Sequence, residues 1–214
     1  MKKPYILINS ALTLDGKIST KKRKKIKISS KEDFIRVKKL RKRFDGILVG
    51  IGTVLADDPK LNVENTLRIV LDSRGRIPLD SNLLEDELPV LVAITEKAPL
   101  SRVKRIEEKA EVIKFKGSKV DLKNLLKKLR EKGIKKLLVE GGGTVNWSFL
   151  KNRYADEVCV YISNLIFGGK DAPTFVDGEG VKEKQDAIEL KLKNVEKLGE
   201  GLLLFWELPH PKGL

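Results

Sequence analysis

The sequence predicts an α/β fold: a mostly parallel mixed sheet flanked by helices, with an antiparallel hairpin at the carboxyl end. Short apolar runs alternate along the chain with segments of helical periodicity, a pattern typical of parallel strands connected by helices. The last two apolar runs, in "AIELKLKNVEKL" and "GLLLFWEL", are instead joined by the short sequence "GEG". Two runs joined so closely are typical of an antiparallel hairpin.

The elements can be assigned in order along the chain. A first strand is expected in "YILINSALTL", followed by a turn at Gly16. The first helix is expected to begin at "SSKED", where Ser29 and Glu32 match a capping box. Its buried stripe is expected to consist of Phe34, Val37, Leu40 and Phe44.

The remaining elements follow the same alternation. Strands are expected at 46–51, 67–72, 89–95, 135–140 and 156–163, before the two strands of the hairpin. Helices are expected at about 101–109, at 121–132 with Gly133 after its end, and from the glycine-rich sequence to Leu150. With no linker or internal repeat, the 214 residues are expected to form a single domain, 1–214.

The composition excludes several classes of protein. No apolar run reaches the roughly 18 residues of a membrane span, and polar residues interrupt the apolar start, so we expect a cytoplasmic protein without a signal peptide. The single histidine, His210, and the single cysteine, Cys159, cannot form a His/Cys zinc site, so no metal is expected. We interpret Cys159 as a buried, inert thiol. The scarcity of Gln and abundance of Lys and Glu favour a thermophilic source.

The net charge of +14 is concentrated in one basic arm, residues 17–43. This arm contains 14 Lys and Arg against two acidic residues, whereas the rest of the chain has 30 basic and 28 acidic residues. Nucleic acid is the least favoured partner, because residues 17–33 contain no aromatic side chain on which bases could stack. The two favoured interpretations of the arm are a solvated surface loop and a source of positive charge near small anionic ligands, and nucleic-acid binding stays open as the third.

A glycine-rich turn follows the strand that ends at Val139. The sequence "VEGGGTVN" combines a strand end, three glycines and a helix start, a combination that directs backbone N–H groups towards an anion. It lacks the Gly-Lys-Ser/Thr of a P-loop and lies too late in the chain for a Rossmann fingerprint. A packing turn without a ligand is the alternative. On the phosphate interpretation, a valine at Gly143 would block the ligand and leave the fold largely intact.

Two further strand ends carry polar side chains. "GIGTVLADDP" places Thr53 and Asp57 after one strand, and "VLDSRGRIP" places Ser73, Arg74 and Arg76 after another. Because ligands of open α/β sheets bind beyond the carboxyl ends of the strands, these groups and the glycine turn are expected to line one edge of the sheet. Such an edge would suit a long ligand with several phosphates.

Five ordered motifs carry a resemblance to a known family: "TLDGKI", "VGIGTVLADDPKL", "RIVLDSRGRIPL", "LLVEGGGTVNWSF" and "VYISNLIFGGKDAPTFVDGEG". Together they resemble the pyrimidine reductases of riboflavin biosynthesis, in particular the stand-alone archaeal type. They are also similar to the reductase half of the bacterial bifunctional deaminase-reductases, although the zinc deaminase signature is absent here. The resemblance implies a dihydrofolate-reductase-like fold, NADPH as hydride donor, a phosphorylated ribosylaminopyrimidine as substrate, and a homodimer.

The resemblance also implies roles for individual residues. The substrate contacts would be Glu140, Leu61 and Arg41, and the lysine tract replaces a Ser-rich segment common in the family, so Lys25 and Lys27 receive no role. The cofactor contacts would be Thr53, Asp57, Ser73, Arg74, Arg76, Gly142, Gly143, Thr144, Val145 and Asn146.

In such a reaction the cofactor provides the hydride, and the protein mainly positions the reactants. Glu140 and Asp15 are the candidates for a general acid, and NADH is left open as a second donor. Two alternatives stay open: a pterin or folate-type reductase on the same fold, which would act on dihydrofolate, and a non-catalytic RNA-binding protein that uses the basic arm.

Overall fold

The computed structural model describes residues 3–209, so His210 lies outside the described part of the chain. Within residues 3–209 there are nine strands and five α-helices: β1 (Tyr5–Leu12), α1 (Lys31–Arg41), β2 (Gly46–Gly50), α2 (Ile51–Asp57), β3 (Leu67–Leu71), β4 (Val90–Thr95), α3 (Leu100–Glu107), β5 (Glu111–Phe115), α4 (Leu122–Glu131), β6 (Lys136–Val139), α5 (Gly143–Lys151), β7 (Glu157–Ile162), β8 (Lys191–Leu198) and β9 (Gly201–Glu207).

By its contacts the chain divides into two compact units. Among the described residues, the first unit contains 3–4 and 41–138, and the second contains 5–40 and 139–209. The single domain expected for residues 1–214 stays a prediction. None of the helices in residues 3–209 has the length and apolar character needed to cross a membrane.

The first unit is built on parallel strands in the order β5-β4-β3-β2. Each neighbouring pair is parallel, and β2 is aligned with β3 from Gly46↔Leu67 to Gly50↔Leu71. The interiors of β2, β3 and β4 are buried, as expected for parallel strands covered on both faces. Since the strands are parallel and in register, the segments that follow β2 and β3 emerge at the same end of this sheet.

The second unit combines one parallel pair with the carboxyl-terminal hairpin. β1 runs parallel to β7, β7 is antiparallel to β9, and β9 is antiparallel to β8. The predicted class is therefore confirmed: an α/β fold with mostly parallel strands and an antiparallel hairpin at the carboxyl end. Strand β8 is exposed along nearly its whole length.

The start of α1 differs from the prediction by one residue. The backbone N–H of Asp33 donates to the Ser30 hydroxyl at 3.2 Å, so Ser30 is the capping residue. The Ser29 hydroxyl donates instead to the Asp33 carboxylate at 2.5 Å. The predicted pair of Ser29 and Glu32 is therefore wrong, because both serines have suitable acids three or four residues later.

The predicted buried stripe of α1 is also wrong at Phe34, which is 54% exposed. The buried residue of this helix is Asp33, whose carboxylate accepts a hydrogen bond from Arg36 Nε at 2.8 Å. Arg36 also donates to the side-chain oxygen of Asn9 on β1 at 2.9 Å. A polar network, which apolar periodicity does not detect, thus determines which face of α1 is turned inward.

One strand escaped prediction. β5 contains two charged residues, Glu111 and Lys114, and among its five residues only Phe115 is buried. It pairs with β4 at the end of the strand order of the first unit. Its hydrophobic pattern is weak because a strand in that position is less completely covered than the inner strands.

Candidate functional site

The end of β2 leads directly into α2 in the first unit. Gly50 precedes the helix without a side-chain cap, and Ile51 and Val54 are buried. Gly52 is exposed, and a Cβ added to it would have no heavy atom within 4 Å. Thr53 in this first turn is half-buried. The start of α2 therefore presents open backbone and a hydroxyl at the carboxyl end of the sheet.

The two acids at the end of α2 differ in their surroundings. Asp57 is the last residue of the helix and is half-buried. Asp58 adopts a left-handed conformation (φ 40°), and its carboxylate accepts hydrogen bonds from the Asn82 side chain at 2.5 Å and backbone N–H at 2.9 Å. Asp58 thus has a structural role, and the cofactor contact implied for Asp57 by the family resemblance stays a prediction.

The end of β3 forms a turn that exposes two arginines. Asp72 is fully buried, and its carboxylate accepts a hydrogen bond from the Ile77 N–H at 2.7 Å. Gly75 lies at φ 63°, and its N–H donates to the Asp72 carbonyl at 3.0 Å. Arg74 and Arg76 alternate with these inward groups and are exposed. The turn therefore presents two guanidinium groups next to the start of α2, since β2 and β3 are adjacent.

Burial raises the pKa of the Asp72 carboxyl, against the opposing effects of the Ile77 N–H and the Arg76 guanidinium. Arg76 Nε lies 3.9 Å from Asp72 Oδ1. Ser73 is held through its carbonyl, which accepts hydrogen bonds from the Thr95 N–H at 3.2 Å and hydroxyl at 2.8 Å.

The two residues implied as substrate contacts in the first unit are partly or wholly covered. Leu61 adopts φ 47° and is 3% exposed, so its side chain offers little surface to a ligand. Its neighbour Lys60 is fixed through its carbonyl by the buried guanidinium of Arg68 at 3.2 Å. Arg41 ends α1 and is half-buried. The roles of Leu61 and Arg41 stay predictions.

The glycine turn lies in the second unit, between β6 and α5. Gly141 adopts φ 80°, the Gly141–Gly142 peptide is cis, and Gly142 precedes α5 without a side-chain cap. The N–H groups of Val145 and Asn146 donate to the Gly142 carbonyl at 2.9 and 3.0 Å. The first N–H groups of any helix lack partners within it, so this end of α5 carries partial positive charge.

The turn is packed against a distant segment, residues 174–177. A Cβ on Gly143 would lie 2.5 Å from the Thr174 carbonyl oxygen and 2.5 Å from Asp177 Oδ2. The Asp177 carboxylate is fixed by the Thr174 hydroxyl at 2.7 Å. The expectation that a valine at Gly143 leaves the fold intact is therefore wrong, because this glycine makes room for the protein's own backbone.

Asn146 connects the same segment to the turn. It is fully buried, and its Nδ2 donates to the Phe175 carbonyl at 2.8 Å, whereas its Oδ1 has no hydrogen-bond partner within the described residues. A Cβ on Gly141 would lie 3.4 Å from both of these amide atoms. Thr144 is exposed, and Gly142 and Val145 are half-buried. Of the cofactor contacts predicted in residues 142–146, these three are therefore the ones that a ligand could reach.

The two candidate acids of the second unit differ in what they can do. Asp15 accepts hydrogen bonds from the Thr13 hydroxyl at 2.6 Å and from the N–H groups of Phe167 (3.1 Å) and Gly168 (2.7 Å). The Thr13 hydroxyl, followed by these N–H groups, lowers the pKa of Asp15 to about 2, despite an opposing effect of burial. A carboxyl with this pKa carries no proton near neutral pH. Glu140, the other candidate acid, is half-buried directly after β6, and its role stays a prediction.

The structure also locates the basic arm and the single cysteine. Residues 21–27 of the basic arm are exposed. Cys159 is a buried free thiol, as predicted, and burial raises its pKa to about 11, with an opposing effect from Arg36. Its inertness stays a prediction. Within residues 3–209 no group of three or more His, Cys, Asp and Glu could hold a metal ion.

The comparisons with known proteins agree with the motifs. Residues 4–204 match the family model of the RibD C-terminal domain. The chain is 45% identical over 210 residues to the 2,5-diamino-6-ribosylamino-4(3H)-pyrimidinone 5′-phosphate reductase of Methanothermobacter thermautotrophicus, covering 94% of this chain and 97% of that protein. The protein of the same name from Archaeoglobus fulgidus is 41% identical over 214 residues, covering 93% of this chain and 95% of that protein.

A solved structure shows the same fold. Acinetobacter baumannii RibD superposes with a TM-score of 0.83 at 24% identity, covering 98% of this chain and 59% of that chain. At this identity the likeness shows the fold alone, and it is consistent with the fold that the motifs imply. Because its sequence matches over nearly the whole length, the chain belongs to the RibD C-terminal domain family.

Proposed function

We propose that this chain is an NADPH-dependent reductase of riboflavin biosynthesis. Its substrate would be 2,5-diamino-6-ribosylamino-4(3H)-pyrimidinone 5′-phosphate, and its product the ribitylamino compound. The observation that carries the proposal is 45% identity over 97% of the length of a relative that bears this reductase name.

The reaction converts a cyclic ribosylamine into an open ribitylamine. The C1′–O4′ bond breaks, O4′ takes up a proton, and the nitrogen loses its proton as the C1′=N double bond forms. NADPH, when bound, supplies a hydride to C1′, and a second proton restores the amine. The chain's own residues then have three tasks: to bind two phosphorylated ligands, to align the reacting carbons, and to place a proton donor near O4′.

The residues of the first unit fit a phosphorylated dinucleotide. Arg74 and Arg76 project from one turn into solvent, and paired guanidinium groups suit the 2′-phosphate of NADPH. Gly52, in the first turn of α2, leaves the backbone open where a side chain would otherwise stand. Thr53, Asp57 and Ser73 lie around these two features and complete the proposed cofactor contacts of this unit.

In the second unit, the accessible residues Gly142, Thr144 and Val145 are proposed as direct cofactor contacts, and the buried Gly143 and Asn146 as their structural support. Glu140 is proposed as the proton donor, because the family resemblance places it against the substrate, whereas Asp15 holds the backbone N–H groups of residues 167 and 168. Leu61 and Arg41 enter the proposal as substrate contacts through the family resemblance.

The proposal includes a homodimer. Strand β8 is an exposed strand at the end of the sheet order, and it carries Leu192 and Val195 on the surface, with Leu202 exposed on β9. An exposed strand with surface apolar side chains needs protection from uncontrolled association, and a second copy would provide it. Light scattering should show a dimer that Val195→Lys weakens; a monomer at high protein concentration would contradict this part of the proposal.

A cytoplasmic location also belongs to the proposal, since the single cysteine is a free thiol, which suits a reducing compartment.

The reaction is tested by following the absorbance of NADPH after addition of the ribosylaminopyrimidine phosphate. We expect oxidation of NADPH with this substrate and none with dihydrofolate, which would be the substrate of a folate-type reductase. Oxidation with dihydrofolate alone would overturn the assignment. Salt-sensitive RNA binding without any NADPH affinity would support the RNA-binding alternative instead.

The proposed use of NADPH is tested at Arg74 and Arg76. A hydrogen bond to a charged group contributes roughly 1.5–3 kcal/mol, and the low end applies here because both side chains are exposed. Replacing one arginine by Ala should therefore weaken NADPH binding by about tenfold, and replacing both should weaken it by about 100-fold. NADH binding should stay nearly unchanged. Full retention of the NADPH preference would place the 2′-phosphate elsewhere, with the basic arm as the next region to examine.

A further inference from the structure

The two exposed arginines of the turn after β3 are held in place through the backbone between and beyond them. Gly75 and Ile77 are buried, whereas Arg74 and Arg76 are exposed, so buried and exposed residues alternate along this turn. The inward residues determine where the outward guanidinium groups stand. What fixes Gly75 and Ile77 therefore also fixes the proposed phosphate contacts.

Arg102, on α3, binds both of these inward residues. Its Nε donates to the Gly75 carbonyl at 3.0 Å, and one terminal nitrogen donates to the Ile77 carbonyl at 2.5 Å. The two bonds use the planar, forked geometry of a guanidinium, which a lysine does not possess. α3 also contacts the turn closely, since a Cβ on Gly75 would lie 3.5 Å from Ile106 Cδ1 and 3.7 Å from Arg102 Cβ.

Asp72 holds the same turn from inside the protein. Its carboxylate accepts the Ile77 N–H at 2.7 Å, and its carbonyl accepts the Gly75 N–H at 3.0 Å. Ile77 is thus bound at its N–H by Asp72 and at its carbonyl by Arg102. The peptide group before Arg76 is thus held at the Gly75 carbonyl by Arg102, and the one after it is held at the Ile77 N–H by Asp72. The Arg76 side chain itself is exposed.

We propose that Arg102 is a positioning residue that sets NADPH specificity, by fixing the Arg74–Gly75–Arg76 turn in the conformation that receives the 2′-phosphate. A site that is ordered before binding avoids the entropic cost of ordering it on binding. Since NADH has no 2′-phosphate, the benefit falls on NADPH alone. This inference rests on the proposed function and adds a residue that touches no ligand.

The test is the ratio of NADPH to NADH affinity in Arg102→Gln. We expect NADPH to bind about tenfold more weakly, which equals about 1.4 kcal/mol and is of the order of fixing one backbone residue. NADH affinity and kcat at saturating NADPH should stay nearly constant. Arg105→Gln is the matched control, because it removes the same charge from the same helix at an exposed position outside this hydrogen-bond network. It should leave the ratio unchanged.

Arg102→Lys separates geometry from charge and also serves if Arg102→Gln does not fold. It keeps the positive charge but cannot reproduce the forked pair of bonds, so we expect a partial loss of NADPH preference and faster hydrogen exchange at the Gly75 and Ile77 amides. An unchanged ratio with unchanged exchange in a folded Arg102→Lys protein would overturn the inference.

A double-mutant cycle distinguishes this inference from the proposed function. In a background of Arg74→Ala and Arg76→Ala, Arg102→Gln should have no further effect on the NADPH to NADH ratio, because the groups that it positions are gone. If the double alanine variant keeps its preference, the proposed 2′-phosphate site fails. If the double alanine variant loses its preference for NADPH over NADH but the Arg102→Gln protein keeps this preference, the proposed 2′-phosphate site stands and only the role of Arg102 fails.

Discussion

Replacing Gly52 by Ala should make the protein more stable and, at the same time, a weaker binder of NADPH. Gly52 lies in the first turn of α2, away from the left-handed region, and an added Cβ has no heavy atom within 4 Å. Alanine in a helix is favoured over glycine by roughly 0.5–1 kcal/mol. For a chain of this size, that corresponds to a rise in Tm of about 1–4 °C.

The same methyl group would stand where the cofactor is proposed to approach the backbone. An extra methyl in a closely packed contact typically costs about 1–3 kcal/mol, so NADPH should bind about 5- to 150-fold more weakly. Differential scanning calorimetry gives the stability, and fluorescence titration with NADPH gives the affinity. Ser101→Ala, an exposed change at the same position in the first turn of α3, is the control and should not alter NADPH binding.

The essential result is a higher Tm together with a weaker affinity for NADPH. If Gly52 had only a structural role, the substitution would change the Tm and leave the NADPH affinity unchanged. A Gly52→Ala protein that is more stable and binds NADPH with unchanged affinity would show that the cofactor does not pass over this turn.

Three other substitutions test separate parts of the structure. Gly143→Ala should lower the free energy of unfolding by roughly 1–3 kcal/mol, because the new Cβ would overlap the Thr174 carbonyl; an unchanged Tm would contradict the packing. Replacing Lys21, Lys22, Lys24 and Lys25 by Gln should slow NADPH association in stopped-flow experiments at low salt and have little effect at high salt, whereas equal slowing at both would indicate direct contacts. Asp15→Asn should lower Tm near pH 7: since the fold lowers the pKa of Asp15 to about 2, this stabilisation is present above its ordinary pKa and lost as the pH falls towards 2. A Tm deficit that does not shrink between about pH 5 and pH 3 would contradict the hydrogen bonds assigned to this carboxylate.

Local sequence signals were sufficient for most of the fold. The inner strands could be predicted because they are short apolar runs, and α4 because its helical pattern is followed by Gly133. The two errors in the predicted elements, at α1 and β5, have a common cause: in both, polar or charged residues rather than apolar periodicity determine the structure. The buried Asp33 turned α1 so that Phe34 faces solvent, and β5 was missed because charged residues interrupt its pattern.

The candidate site was predictable only where it depends on neighbours in the sequence. The turn with Arg74 and Arg76 can be recognised from its motif. Arg102, in contrast, is one arginine of an ordinary amphipathic helix, and nothing in the sequence indicates its contacts with that turn. Likewise, the sequence alone does not reveal that Gly143 packs against Thr174, or that Asp15 binds the backbone N–H groups of residues 167 and 168. These contacts join segments that are far apart along the chain.

The proposed reaction is tested most directly by following the transferred hydrogen itself. NADPH carrying deuterium at C4 of the nicotinamide is incubated with the enzyme and the ribosylaminopyrimidine phosphate, and the product is examined by mass spectrometry and NMR. We expect a single deuterium at C1′ of the ribityl chain when the C4 position that donates the hydride is labelled. A ribitylamino product without deuterium at C1′ for either labelled form of the cofactor, or deuterium on the pyrimidine ring, would contradict direct hydride transfer to C1′.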